Sequence, residues 1–323
     1  MSKNDLQAAA NLLRDSESFL ITGHANPDGD SLGSMCALGL ALRGMGKTVV
    51  LVSMDGVPDL YRFLPASDTV VTTVSKDQSF DVMIIVDCEG LDRCGDVVNA
   101  IPIYKKLLVI DHHPGGELGE GIRVIDPSLA SSGEIVYALL NKMSVPITQS
   151  MAECLLTAIV TDTGSFRFSN VTSSTLRTAA DLLDQGASVS EIAQKVYETR
   201  PLSSIRLLGM ALSTLRTASN GRIAYTSVTQ AQMAASGATE AETEGIVNYV
   251  RGVRGVQVGI LFREGSDGST RVSLRSGDGL DVSQVARLFG GGGHKAAAGC
   301  TIERPLEESI GLVVDAVQKW MES

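Results

Sequence analysis

A chain of 323 residues with 27 Lys and Arg against 37 Asp and Glu carries a formal charge of −10, and 44% of its residues are hydrophobic. The length exceeds the roughly 100–200 residues of a single domain, so two domains are expected. The acidic balance excludes binding along an extended duplex unless a basic groove is folded into the chain, but it leaves room for a short phosphorylated substrate, because a few arginines and bound divalent cations reverse the field in one cleft.

In chain order, the opening MSKNDLQAAANLLRDSESFL carries charges through its middle and lacks the apolar core of an export signal, and no run of eighteen apolar residues follows it. A cytoplasmic protein with no membrane span is expected. Short apolar runs then alternate with helical patterns: SFLIT, SLGSMCALGLALRGMG, KTVVLVSM, FDVMIIVD, KKLLVID, IRVID and SGEIVYALLNKM. That rhythm predicts βαβ units on a parallel sheet, and the unbroken Val, Ile and Leu of FDVMIIVD and KKLLVID fit strands buried on both faces. Helices follow in MAECLLTAIVTDTG and TLRTAADLLDQG, each ending on glycine. Beyond residue 215, GRIAYTSV, GVQVGILFRE and STRVSLRS read as strands of a second, smaller sheet, closed by FGGGGHKAAAG and a final helix in PLEESIGLVVDAVQKWMES. The expected fold class is therefore α/β: an N-terminal Rossmann-like parallel-sheet domain over residues 1–190, a helical linker over 191–215, and a C-terminal α/β domain with a mixed sheet over 216–323.

The cysteines, Cys36, Cys88, Cys94, Cys154 and Cys300, are odd in number and contain no CxxC pair, which excludes a disulfide framework or a thiolate zinc site. Reduced, mostly buried thiols are expected. The four histidines are more informative. His24, His112, His113 and His294 each lie beside Asp or Gly at the end of a predicted element. Ligands of open α/β sheets bind at the carboxyl ends of the strands. There the first run delivers His24, Asp28 and Asp30, the third Asp87, and the fourth Asp111, His112 and His113, while Asp162 stands at a Thr-Asp-Thr-Gly turn, where a helix cap is the alternative. So many carboxylates on one edge would repel unless cations compensate. Asp and His without Cys suit Mn²⁺ or Mg²⁺, and two ions sharing a carboxylate suit phosphoryl transfer to water.

Three other patterns compete. Gly29-Asp30-Ser31-Leu32-Gly33 matches the G-x-S-x-G nucleophile elbow of serine hydrolases, with His294 as a base, but that reading leaves Asp28, Asp87 and the Asp-His-His run without a role. Ser31 is more simply the N-cap of the following helix or a partner of the ligands. ALRGMGKT lacks the first glycine of a P-loop and leaves a helix to enter a strand, the reverse of what phosphate cradling needs. The glycines of FGGGGHKAAAG could form an anion nest, or a mobile hairpin or flexible loop, and Arg271 and Arg275 of RVSLR share one strand face, where either could grip a phosphate or stand in solvent.

GHANPDGDS, VDCEG, DHH at 111–113 and TDTGSF resemble, in order, the four motifs of the DHH phosphoesterase superfamily, and RSGDGLDVSQVARLFGGGGHKAAAG is similar to its DHH-associated domain with a GGGH substrate-binding loop. In length and in this loop the chain is similar to the nanoRNase and pAp-phosphatase group. The resemblance implies that His24 and Asp28 bind one metal, Asp30, His112 and Asp162 the other, and Asp87 bridges them. It implies that His113 contacts phosphate or aids the leaving group, that Asp111 orients the histidines, and that Arg275, Gly292, Gly293 and His294 hold the substrate from across the cleft between domains. The implied reaction is hydrolysis by a water activated by two divalent ions, Mn²⁺ first with Mg²⁺ or Co²⁺ as alternatives. Its substrates would be short single-stranded RNA or DNA oligonucleotides, 3′-phosphoadenosine 5′-phosphate (pAp) or the dinucleotide pApA. A RecJ-like single-strand exonuclease, a cyclic-dinucleotide or pApA phosphodiesterase, and a non-catalytic nucleotide-binding module are the alternatives, and a homodimer is compatible with each.

Overall fold

A computed structural model of the chain describes residues 3–88, 90, 93–95, 103–113, 120–277 and 279–322. The backbone divides into two compact units, Met1–Thr199 and Arg200–Ser323. The first contains α1 (Lys3–Asp15), β1 (Ser18–Thr22), α2 (Gly29–Gly44), β2 (Thr48–Val52), β3 (Val70–Val71), β4 (Ser79–Val86), β5 (Ile103–Asp111), β6 (Ile122–Ile125), α3 (Ser132–Lys142), α4 (Gln149–Asp162), α5 (Ser173–Asp184) and α6 (Val189–Ala193).

Among the described residues, all six strands of this unit pair in parallel in the order β3-β2-β1-β4-β5-β6. This is the doubly wound order, in which the chain reverses direction across the sheet between β1 and β4 and opens a crevice at their carboxyl ends. The unbroken apolar runs of β4 and β5 lie where burial on both faces requires them. Ile84, Val86, Leu108 and Ile110 pack into the larger core with α1 to α4, and Met83, Ile85, Leu107 and Val109 into a smaller cluster on the opposite face. Two elements escape the sequence pattern. The helix α1 covers the charged N-terminal stretch, with Ala9, Ala10, Leu12 and Leu13 buried, and β3 is a two-residue pairing to β2, too short for any periodicity to report.

The second unit contains α7 (Leu202–Ser213), β7 (Arg216–Ala218), β8 (Ile223–Val228), α8 (Gln230–Ser236), α9 (Ile246–Arg251), β9 (Val258–Glu264), β10 (Thr270–Ser276), α10 (Val282–Leu288), β11 (Gly292–His294), β12 (Ala297–Ile302) and α11 (Leu306–Glu322). Its mixed sheet runs β11-β12-β10-β9-β8-β7, with β8 and β9 parallel and the other neighbours antiparallel. One face packs Phe262 and Leu274 against Val285, Val313 and Val317 of α10 and α11; the other packs Val228 and Leu261 against Leu207, Ile246 and Val247. Within 191–215, α6 packs on α4 of the first unit and α7 on α8 and β8 of the second. No described helix is long and apolar enough to cross a membrane.

Candidate metal centre

Each sequence-predicted ligand of the first unit stands at an element end beside the crevice. His24 follows β1 by two residues, Asp87 follows β4 directly, Asp111 closes β5 with His112 and His113 behind it, and Asp162 closes α4. Asp28 precedes α2 and is its N-cap, its Oδ1 accepting the backbone N–H of Asp30 and of Ser31 at 3.0 Å each. The N-cap role expected of Ser31 therefore belongs to Asp28, whose extended backbone and two-oxygen acceptor satisfy the orphan donors of the first turn. Asp87 sits in the left-handed region at φ +54°, a conformation Asp and Asn tolerate better than other side chains, and it turns the chain off the strand at the site.

Two close approaches draw α2 and α4 together. A Cβ on Gly29 would lie 2.4 Å from the Thr161 side chain, and one on Gly33 would lie 2.4 Å from the Cys154 carbonyl oxygen. The glycines of the G-x-S-x-G match thus serve helix packing, which carries the start of α2, with Asp28 and Asp30, to the end of α4, with Asp162. Ser31 is fully buried beneath Gly23, on which a Cβ would meet its Oγ at 2.0 Å, and that Oγ has no hydrogen-bond partner. A hydroxyl with neither a base nor solvent access cannot serve as a nucleophile. Ser31→Ala is accordingly expected to keep hydrolytic activity within about twofold of the unaltered chain, because it removes a hydroxyl that makes no hydrogen bond among the described residues; a complete loss in a folded variant would restore the serine-hydrolase reading.

The side chains converge into three overlapping groups whose offered ligand atoms lie within 4.8 Å of one another: His24, Asp28 and Asp87; Asp30, His112 and Asp162; and Asp87, Asp111, His112 and His113. Asp87 belongs to two of them and faces the third. Its Oδ2 lies 3.4 Å from His24 Nε2, and its Oδ1 lies 3.7 Å from His112 Nε2, which in turn is 3.2 Å from Asp162 Oδ2 and 3.8 Å from Asp30 Oδ2. His113 differs from its neighbour: its Nδ1 is held at 2.8 Å by Asp111 Oδ1.

The electrostatics describe a site short of positive charge. Burial disfavours the His24 imidazolium, but Asp28 and Asp87 outweigh it and push its pKa up to about 11. Burial would raise Asp28 likewise, yet the same histidine and the two backbone N–H donors hold it low. At Asp30 and Asp162 burial and the charge of Asp87 prevail over the opposing pull of the Ser132 N–H on the first and of His113 and His24 on the second, and both are raised well above the carboxylate range. Burial and His113 lower the pKa of His112, which favours the neutral imidazole that a metal requires. His112 Nε2 and Asp111 Oδ2 are buried without a hydrogen-bond partner. Buried carboxylates pushed together, a neutral imidazole and orphaned acceptor atoms, all O and N donors, fit divalent cations of the Mn²⁺ and Mg²⁺ type.

Sequence reasoning missed the residues that hold these carboxylates. The first turn of α3 donates the N–H groups of Ser132 and Gly133 to Asp30 at 2.7 and 2.9 Å; Ser34 Oγ donates to Asp30 at 3.1 Å; Ser132 Oγ donates to Asp87 at 3.2 Å; and Asn170 Nδ2 donates to the Asp162 carbonyl at 3.0 Å. The available signal was Ser131-Ser132-Gly133-Glu134 ahead of an apolar run, which marks a helix N-terminus.

In the second unit, Arg275 lies on β10 with Nη1 donating to the Leu274 carbonyl at 3.0 Å, and burial holds its pKa below the usual guanidinium value. Arg271, on the same strand face, is engaged with Glu240 at 2.9 Å. Of the forms open to the glycine run, part takes the hairpin: Gly292–His294 is the edge strand β11, paired antiparallel to β12. Strand pairing accounts for two glycines in physical terms. A Cβ on Gly291 would meet the Gly299 carbonyl at 2.1 Å, and Gly293, at φ +133°, would meet that of Ala297 at 2.6 Å. The side chain of His294 lies outside the described residues. All five cysteines are free and buried.

Comparison with known proteins bears on the whole chain. Residues 18–159 match the DHH family, N-terminal domain, and residues 220–323 the DHHA1 domain. The bifunctional oligoribonuclease and PAP phosphatase NrnA of Thermus thermophilus is 32% identical over 300 residues, covering 93% of this chain and 89% of that protein. The crystal structure of an exopolyphosphatase-related protein from Bacteroides fragilis superposes with a TM-score of 0.92 at 25% identity, covering 99% of this chain and 97% of the other. RecJ from Thermus thermophilus in complex with Mn²⁺ shares the fold with a TM-score of 0.56 at 14% identity, covering 99% of this chain and 55% of RecJ.

Proposed function

Because the chain belongs to the DHH phosphoesterase family, we propose that it is a cytoplasmic metal-dependent hydrolase that cleaves short oligoribonucleotides to nucleoside monophosphates and pAp to AMP and phosphate. The observation that carries this reading is the position of Asp87, with one carboxylate oxygen toward His24 and the other toward His112. Such a carboxylate can be shared by two ions, and we assign His24 and Asp28 to one and Asp30, His112 and Asp162 to the other. Two bound divalent ions, Mn²⁺ in the first instance, would supply Lewis-acid polarisation of the phosphoryl group and a water acidic enough to be a nucleophile at neutral pH.

The chain's own groups do the rest. Asp111 fixes the ring of His113 through Nδ1, which assigns contact with the phosphate or proton delivery to the leaving oxygen to Nε2. The support for His112 rather than His113 as ligand is the same bond: His113 Nδ1 is occupied by Asp111, whereas His112 Nε2 faces Asp30, Asp87 and Asp162 and carries no hydrogen bond. Arg275, Gly292, Gly293 and His294 are the proposed substrate-binding group. A guanidinium suits phosphate recognition, and backbone N–H groups unshielded by side chains can approach an anion closely.

The test is release of phosphate and mononucleotide from a matched set of pAp, pApA and a longer oligoadenylate with Mn²⁺. Turnover favouring pAp and pApA is expected, consistent with an acidic chain that repels long polyanions. Preference for the long oligomer would assign the chain to RecJ-like exonucleolysis instead, and tight binding of pApA without turnover would assign it to nucleotide sensing.

A further inference from the structure

Ser132 touches two of the proposed ligands at once. Its backbone N–H donates to Asp30 Oδ2 at 2.7 Å and its hydroxyl to Asp87 Oδ1 at 3.2 Å, and the residue is fully buried. We infer that Ser132 is a positioning residue that couples the two halves of the metal centre, with the first turn of α3 acting as the cradle of Asp30. The inference rests on the two-metal reading above.

A carboxylate offers roughly four acceptor positions, two on each oxygen. On Asp30, Oδ1 accepts from Gly133 N–H and from Ser34 Oγ, which fills it, whereas among the described residues Oδ2 accepts from Ser132 N–H alone. The remaining position of Oδ2 is on the oxygen that faces His112, in the group completed by Asp162. The cradle therefore selects which oxygen of Asp30 is offered to a cation.

On Asp87 the hydroxyl of Ser132 meets Oδ1, the oxygen on the His112 side, and leaves Oδ2 directed at His24. One residue thus sets the rotation of the shared carboxylate relative to the ligand beside it. The close approach that makes this geometry is secured by Gly133, on which a Cβ would lie 2.6 Å from the Ala158 Cβ of α4. Ser131 is different in kind: it caps α3, its Oγ accepting from Glu134 N–H. It carries no hydrogen bond to Asp30 or Asp87 among those described.

Ser132→Ala removes the hydroxyl and keeps the N–H, so it isolates the contact to Asp87. Mn²⁺ affinity measured by isothermal titration without substrate is expected to fall about 10–100-fold for at least one class of site, the range seen when a group that orients a ligand is removed. The melting temperature of the chelated protein should fall by no more than about 6 °C, since a single hydrogen bond contributes roughly 0.5–1.5 kcal/mol net. Hydrolytic kcat should recover toward the unaltered value at saturating Mn²⁺. Ser131→Ala should show the converse, a lower melting temperature with unchanged Mn²⁺ affinity. Unchanged Mn²⁺ affinity in Ser132→Ala, or an equal loss in Ser131→Ala, would overturn the positioning role. Absence of Mn²⁺ binding by the unaltered chain, or binding undiminished in Asp87→Asn, would instead overturn the metal centre itself.

Discussion

Replacing Asp87 by Asn is expected to reduce kcat/KM on pAp and pApA by roughly a thousandfold, corresponding to several kcal/mol of lost charge stabilisation at a metal-assisted transition state. The substitution is chosen for its backbone as much as its charge. Asp87 holds φ at +54°, and Asn is the replacement that tolerates this conformation, so a folding defect is not built in. It also preserves an acceptor oxygen for Ser132 while removing the second anionic oxygen that would serve the other ion. Mn²⁺ raises the melting temperature of any protein that binds it in the native state alone. That rise should be present in the unaltered chain and shrink sharply in the variant. Chelation with EDTA should bring the unaltered chain to the same low activity, and chelation of the variant should change little further. Activity in Asp87→Asn at the unaltered level would sink the shared-carboxylate reading.

Gly33→Ala should lower both stability and turnover, although residue 33 is no proposed ligand. The added methyl would lie 2.4 Å from the Cys154 carbonyl oxygen, a backbone atom inside α4 that has no rotamer to yield. Overpacking of this kind costs about 1–3 kcal/mol, which for a unit of this size lowers the melting temperature by roughly 2–12 °C. The relief available is separation of α2 from α4, and that moves Asp28 and Asp30 away from Asp162. Gly44→Ala, at the far end of the same helix, is the control: nothing lies within 4 Å of its added methyl. Better helix propensity should make it neutral or stabilising by up to about 1 kcal/mol. Opposite signs at two glycines of one helix, read by thermal denaturation and kcat on pAp, test the packing account; equal small effects would refute it.

The proposed ligands could be picked out in the sequence because strand periodicity ends where they begin. Val, Ile and Leu run without interruption to Asp87 and to Asp111, and in a parallel sheet such endings share one edge. What periodicity could not carry was any role that depends on two segments meeting. Asp28 is both a helix cap and a proposed ligand, and Ser31 looked like the cap because Ser is as good a capping residue as Asp. No motif singles out Ser132 and Gly133; they matter because α3 points its N-terminus at Asp30, more than 100 positions earlier in the chain. Composition left the glycine run 290–293 open between an anion nest, a hairpin and a flexible loop, and pairing with β12 makes part of it a hairpin strand whose close contacts only glycine permits. The two-residue β3 left no pattern at all.

The outer strands of both sheets have a consequence for behaviour in concentrated solution. In the first sheet the outermost described strands are β3 and β6, of two and four residues; in the second they are β11 and β7, of three each. Their interiors are long and apolar, the kind of segment that templates intermolecular pairing when an edge is exposed. Short margins offer an incoming strand too few unpaired amides to dock, and a net charge of −10 adds repulsion between molecules. The same brevity that hid β3 from sequence periodicity thus protects the aggregation-prone strands at the centre of each sheet.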